Sequence, residues 1–302
     1  MKTKVFKKKS SDTLGVFIAL LAVFLFSSKA ILVKLIYAFE VPTIHILLLR
    51  MGFALPFYIA IFFLNKEPKK ASINTKDYLW LIVFGITGYY MASFFDFYGL
   101  KFLSASLERI ILFVYPTLVV IIGALFLKTK ITKKQLLAIV ITYIGVILTF
   151  ASELQINHDE NLFLGAGLIF MSALTYACYL VGSGWLIPKF GTVKFTSIAM
   201  IVACTSVIIH YLLTDRLTIL NYPKEVYIGT LIMAVFCTVL PSYLVSFAIQ
   251  KLGASKFSII GSIGPVFTIL LATLILGESI TLAQTIGVLI VIIGVRIVSK
   301  KE

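Results

Sequence analysis

Lys29, Arg50, Asp96, Glu108 and Arg109 are charged residues set inside long apolar runs, and their chemistry follows from that setting. An ionised side chain away from bulk water needs an opposite charge or a wetted cavity. At about 1.5 Å per helical residue, Lys29 and Arg50 fall roughly 10 Å inside their runs. Asp96, Glu108 and Arg109 fall nearer an end. This placement predicts a partly wetted vestibule in which Asp96 or Glu108 pairs with a cation. Lys34, Glu108 and Arg109 also suit a plainer role, as long side chains reaching a water boundary. Arg50 equally suits a structural pin. His45 and His210 sit near the same boundary, where an imidazole could sense protons.

Uncharged polar groups recur at helical spacing. Thr238, Ser242, Ser246 and Gln250 are four apart and share one face, with Tyr243 beside them and Pro241 freeing a backbone carbonyl. Ser172, Tyr176, Tyr179 and Ser183 form a second stripe, and Tyr89, Ser93 and Asp96 a third. Ser255, Ser258 and Ser262 form a fourth, beside Gly261, Gly264 and Pro265 in a predicted bend. Each stripe could orient a small polar molecule, and each could equally join packed helices. Catalytic signatures are missing from the sequence. It has no aspartate-rich cluster, no His-Glu-x-x-His pair, no serine with a nearby base and no phosphate-binding glycine loop. Cys178, Cys204 and Cys237 all lie in apolar runs, which argues against a disulfide framework or a metal site. The reading is of a protein that is not an enzyme and needs no cofactor.

The elements that carry these residues follow from composition. Of 302 residues 60% are hydrophobic and 13% charged, and the mean hydropathy is +1.04. A soluble domain carries roughly a quarter charged residues, so lipid is the expected solvent, and lipid admits helices or closed barrels. The apolar runs are long and unbroken, which selects helices. Spans are expected at 13–38, 43–64, 77–99, 104–127, 135–152, 162–187, 193–214, 225–250, 255–276 and 282–299. The first is too long for a signal-peptide core and is kept as a span. A net charge of +14 is spread in short clusters between runs, the pattern of membrane orientation rather than nucleic-acid binding. With the N-terminus in the cytoplasm, nearly all lysine clusters fall inside, and the acidic stretch 153–161 falls outside. Both termini are therefore expected in the cytoplasm, in the cell (inner) membrane.

Sliding the chain on itself by 149 positions aligns Ala105-Ser106 with Ala254-Ser255, Pro116 with Pro265 and Ile131-Thr132 with Ile280-Thr281. Gln135 then meets Gln284, and Ile144-Gly145-Val146 meets Ile293-Gly294-Val295. The fourth and fifth spans thus match the ninth and tenth. Two units of five result, residues 1–152 and 153–302, the second inverted because an odd number of spans separates them. Lys128, Lys130, Lys133 and Lys134 become Gly277, Ser279, Leu282 and Ala283, as the inversion requires. The expected fold is all-α integral membrane, ten transmembrane helices as two inverted five-helix repeats. Gly123, Gly145, Gly287 and Gly294 are expected at close helix contacts. Inverted repeats place a binding site near the midplane at their interface, with alternating access.

On these residues the chain resembles the EamA-like branch of the drug/metabolite transporter superfamily. The resemblance rests on the five-plus-five layout, the Pro42…Arg50 spacing, the repeated frame and the segment Leu276-Gly277-Glu278-Ser279-Ile280-Thr281. The first half departs from it, with Thr129 at the counterpart of Glu278. The resemblance implies secondary transport, frequently export, of amino acids and other small metabolites, through a cavity among spans 1, 3, 4, 6, 8 and 9. Substrate-binding candidates are Lys29, Tyr89, Ser93, Asp96, Tyr176, Tyr179, Ser242, Tyr243, Ser246, Gln250 and Ser262. Gating or coupling candidates are Glu108, Arg109, Pro116, Pro265 and Glu278. The expected partners are a small-molecule substrate, protons as a coupling ion, the lipid bilayer, and either no second subunit or one identical copy. Nucleic acid is not expected. A channel-like or facilitative permease, and a carrier of organic cations or phosphorylated metabolites, stay open as alternatives.

Overall fold

The computed structural model of the chain describes residues 2–65, 73–127, 133–156, 160–214, 219, 221–254, 257 and 260–299. Within these, the side chains of 2–13, 127, 134, 135, 138, 139, 142, 149, 150, 153–156, 262, 295, 296, 298 and 299 fall outside the description. So do Thr129, Ser255, Ser258, the side chain of Ser262 and the basic residues within 66–72 and 128–132, on which several expectations rest.

The architecture is all-α, with no strand among the described residues. The helices in order are α1 (Lys2–Ser27), α2 (Lys29–Tyr37), α3 (Thr43–Leu64), α4 (Thr75–Gly85), α5 (Ala92–Gly99), α6 (Ala105–Leu112) and α7 (Tyr115–Leu127). They continue as α8 (Lys133–Ile156), α9 (Leu162–Phe190), α10 (Thr192–Thr214), α11 (Lys224–Ala234), α12 (Leu240–Leu252), α13 (Gly264–Leu271) and α14 (Leu282–Ser299). Wide π-helical turns join α4 to α5 at Ile86–Met91 and α11 to α12 at Val235–Val239, so each pair reads as one continuous span. The second of these turns accommodates Pro241, whose nitrogen cannot donate to the preceding turn.

Seven stretches among the described residues are long and apolar enough to cross a membrane: Leu14–Tyr37, Thr43–Leu64, Thr75–Gly99, Ala105–Phe126, Leu162–Phe190, Thr192–Thr214 and Lys224–Leu252. Gly264–Leu276 and Leu282–Gly294 are apolar but shorter. The burial pattern is that of a protein solvated by lipid. Leu64, Leu213 and Leu282 lie exposed, while Ser183, Thr196, Ser242, Ser246 and Thr268 are fully buried. Polar groups sealed inside must find partners there, and these hold the bundle together alongside close packing.

Two features explain the repeated sequence frame locally. The Ile-Thr…Gln step is a capping box. Thr281 Oγ1 accepts from the Gln284 N–H at 3.1 Å, and Gln284 Oε1 accepts from the Thr281 N–H at 2.9 Å, closing the start of α14. At Gly145 an added Cβ would lie 2.7 Å from the Gly287 carbonyl oxygen, so α8 and α14 touch backbone to backbone. Gly123 does not follow suit. Nothing stands within 4 Å of its Cβ position, and close packing does not account for it.

Candidate functional site

Three helices break at one place. In the first span Ser27 Oγ donates to Val23 O (2.7 Å) and Ser28 Oγ to Leu25 O (2.8 Å), side-chain bonds that compete with the helix ladder and separate α1 from α2. In the fourth, a turn at Phe113 and Val114 precedes Pro116, which begins α7. Gly261–Ile263 forms a 3₁₀ turn ahead of Pro265, which begins α13. The sequence-matched prolines therefore both open a helix after a break. Non-helical backbone at membrane depth is tolerated where protein covers it or a cavity faces it. A cavity of about 80 Å³ lies among these breaks, lined by Ser27, Lys29, Tyr89, Ser93, Arg109, Phe113, Tyr115, Ser172, Tyr176, Gly261 and Gly264 among others.

The charges are arranged around it in two pairs. Lys29 Nζ bonds to Asp96 Oδ2, joining α2 to α5, and both groups are buried. Arg109 Nε donates to Thr268 Oγ1 at 3.0 Å, and that hydroxyl donates onward to Ser27 O at 3.2 Å. Arg109 Nη2 donates to Phe26 O at 3.1 Å. One guanidinium thus ties α6 to α1 and to α13. Glu108 Oε2 stands 3.8 Å from Arg109 Nε, too long for a hydrogen bond. The Glu108 carboxyl instead faces that of Asp96 within hydrogen-bonding reach, so that one proton can join the two. The expected pairing of Asp96 with a cation is met by Lys29, and the charges form a buried cluster beside the cavity. Glu108 and Arg109 do not reach a boundary; they are 0% and 7% exposed.

Arg50 stands apart. Its guanidinium carbon is 4.6 Å from the Phe97 ring centroid, and Nε and Nη2 have no hydrogen-bond partner among the described residues. Lys29 approaches the same ring at 5.6 Å. His45 is buried, with Nδ1 bonded to the Tyr222 hydroxyl in the connection before α11. His210 meets the Tyr90 hydroxyl at 3.1 Å.

The cavity's aromatic wall depends on glycine. Tyr115 and Tyr176 meet edge to face at 5.4 Å, and Tyr89 meets Tyr179 at 4.8 Å. A Cβ on Gly261 would lie 2.1 Å from the Tyr115 hydroxyl, and one on Gly88 would lie 2.2 Å from Tyr179 Cβ. Only hydrogen at these positions lets the rings sit where they do. The Tyr89 and Tyr179 hydroxyls are buried without hydrogen-bond partners among the described residues.

Glu278 lies elsewhere, in the connection after α13. Its carboxylate accepts from the N–H groups of Ala105 (2.8 Å) and Ser106 (3.1 Å) and from Ser106 Oγ (2.7 Å). It therefore caps the start of α6 from 172 residues away along the chain.

Of the proposed binding residues, Lys29, Tyr89, Ser93 and Tyr176 line the cavity, Asp96 holds Lys29, and Tyr179 meets the Tyr89 ring edge to face. The α12 stripe does not line it. Ser242 meets Tyr58 at 2.9 Å, Ser246 meets Thr196 at 2.7 Å, Tyr243 meets Ser197 at 2.7 Å, and Gln250 is exposed. Sequence reasoning missed Ser27, Tyr115 and Thr268. Thr268 had a readable signal: at the offset of 149 it replaces Val119, a hydroxyl in an otherwise apolar frame.

These features define an all-helical membrane protein with a charged internal cavity. The sequence profile of the EamA-like transporter family matches the chain twice, over residues 13–151 and 163–300, and the chain belongs to that family. It is 28% identical to the uncharacterized transporter YcbK of Bacillus subtilis, over 90% of this chain and 88% of that one. It is 31% identical to the uncharacterized transporter YyaM of the same organism, over 82% and 81%. An uncharacterized transporter of Archaeoglobus fulgidus matches at 25% identity over 84% and 87%. A protein of known crystal structure shares the fold with a TM-score of 0.68 at 15% identity, over 94% of both chains. The chain is accordingly a membrane transporter of the EamA type.

Proposed function

We propose that this transporter is a secondary carrier of small polar metabolites, amino acids and related compounds included, that exports them by alternating access. In this reading ten spans form two inverted halves, 1–152 and 153–302, with both termini in the cytoplasm of a cell (inner) membrane and with one or two copies per assembly. The family profile matching once in each half supports the repeat. The observation that carries the mechanism is the Arg109–Thr268–Ser27 chain of hydrogen bonds, because it joins helices of both halves at the wall of one cavity. Opening the seam toward either side must break or re-form these bonds. Substrate is bound there, not transformed, so no catalytic group or cofactor is invoked.

Glu108 is the group proposed to carry a coupling proton. It is a buried carboxyl set against that of Asp96 on α5, close enough for one proton to bridge the two, with Arg109 beside it on its own helix. Protonation there removes the charge that Arg109 otherwise balances. Lys29 needs a careful test. Lys29→Ala strands a buried Asp96, a change worth about 3–5 kcal/mol, so Lys29→Arg is the cleaner probe of its role.

Purified protein in liposomes tests the reading. Saturable uptake accelerated by substrate on the far side is expected of a carrier. Unsaturable flux at channel rates would replace it with the permease reading. An imposed proton gradient should drive uptake in the wild type and fail to do so in Glu108→Gln.

A further inference from the structure

We propose that the cavity is selective for an organic monocarboxylate with an apolar body and no ammonium group. This rests on the carrier reading and, among its small metabolites, selects a class that leaves the amino acids out. The first observation is the sign of the wall. Lys29 and Arg109 line the cavity, whereas Asp96 and Glu108 are 1% and 0% exposed and do not. Asp96 grips Lys29 from behind. The positions of this stretch outside the description, Ser255, Lys256, Ser258, Ile259 and the side chain of Ser262, carry no carboxyl by sequence. An ammonium entering here would meet a cation, hydroxyls and carbonyls but no anion, and a poorly paired charge in a water-poor site is costly.

The second observation is the state of Arg109. A guanidinium has five N–H donors in a planar fork. The bonds to Thr268 and Phe26 use two of them, leaving three without a partner among the described residues. A carboxylate matches that fork with two parallel hydrogen bonds. Lys29 is neutralised by Asp96, and Arg109 has the Glu108 carboxyl 3.8 Å from its Nε. With the coupling proton on Glu108 a single positive charge is left for the ligand, which favours a monoanion over a phosphate dianion. The third is the remainder of the wall. Tyr89, Tyr115 and Tyr176 present ring surface for an apolar body.

A matched series tests this: 3-phenylpropionate, phenylalanine and 3-phenylpropan-1-amine, which share one body and differ in charge. Thermal unfolding of the purified full chain should be shifted by the propionate at concentrations about tenfold or more below those needed for phenylalanine. The amine should give no shift. Arg109→Gln should erase the preference, and Arg109→Lys should keep it at weaker affinity, which guards against a variant that does not fold. Equal or better stabilisation by phenylalanine or the amine overturns the assignment, and so does no shift with any of the three. Counterflow of the same compounds in liposomes separates the two readings. If phenylalanine or the amine is carried in preference, the carrier stands and the monocarboxylate class falls. If none shows saturable counterflow, both fall.

Discussion

At the seam of α12 with α3 and α10, Ser242, Tyr243 and Ser246 each have a hydroxyl partner on a neighbouring helix. At the cavity between α2, α5, α6 and α13, Ser27 and Ser172 are likewise bonded, but other polar groups leave capacity over. Tyr89 has no partner for its hydroxyl among the described residues, and Arg109 uses only part of its fork. Both regions are polar, buried and built on helical spacing. What separates the three seam hydroxyls from the cavity's groups is that the protein satisfies them, although Arg50 on α3 and the Thr192 and Tyr211 hydroxyls on α10 also stand without hydrogen-bond partners among the described residues. A saturated seam holds helices together, and an unsaturated one retains capacity for something that arrives later.

Substitutions can break or sharpen that contrast. Arg109→Gln should have the largest effect, lowering transport by about 100-fold or more, because it removes a charge-assisted bidentate contact. Initial-rate uptake in liposomes measures it, and near wild-type rates would erase the distinction between the two regions. Gly261→Ala should come next. Its methyl would sit 2.1 Å from the Tyr115 hydroxyl, so the ring must swing and the wall must change shape. Affinity should fall while the unfolding midpoint moves little, and binding titration beside thermal unfolding separates the two. Glu278→Ala should cost about 1–2 kcal/mol of stability by uncapping α6, seen in denaturant or thermal unfolding, with a smaller loss of transport. Ser242→Ala and Ser246→Ala should be mildest, about 0.6 kcal/mol each on average for a hydrogen bond between membrane helices. Transport by these two should stay close to wild type; a loss as deep as that of Arg109→Gln would place the site at the seam.

Legibility in the sequence followed whether a signal was local. Pro265 announced one of the three helix breaks, because a missing N–H acts on its own turn, and Pro116, read only as its repeat partner, marks a second. Ser27-Ser28 announced nothing, since two adjacent serines are common and only their χ angles bend the helix. The Ile-Thr…Gln frame was found as a repeat marker, and its physical content is the capping box at α14. The polar stripe on α12 was assigned to the correct helix face, but periodicity names a face without naming what lies opposite. The meeting of Arg109 with Thr268 was out of reach for the same reason, although each carried a signal of its own. Their contact spans 159 positions, and nothing in local spacing brings them together. Charge burial was readable, whereas the pairing of Lys29 with Asp96 across 67 positions emerged only from the fold.

The most direct test is substrate-accelerated uptake in liposomes by Arg109→Gln beside the double variant Ser242→Ala/Ser246→Ala, each at matched incorporation and fold. The account predicts that the arginine variant loses saturable uptake while the double variant keeps it. Retained uptake in Arg109→Gln with loss in the double variant would contradict it.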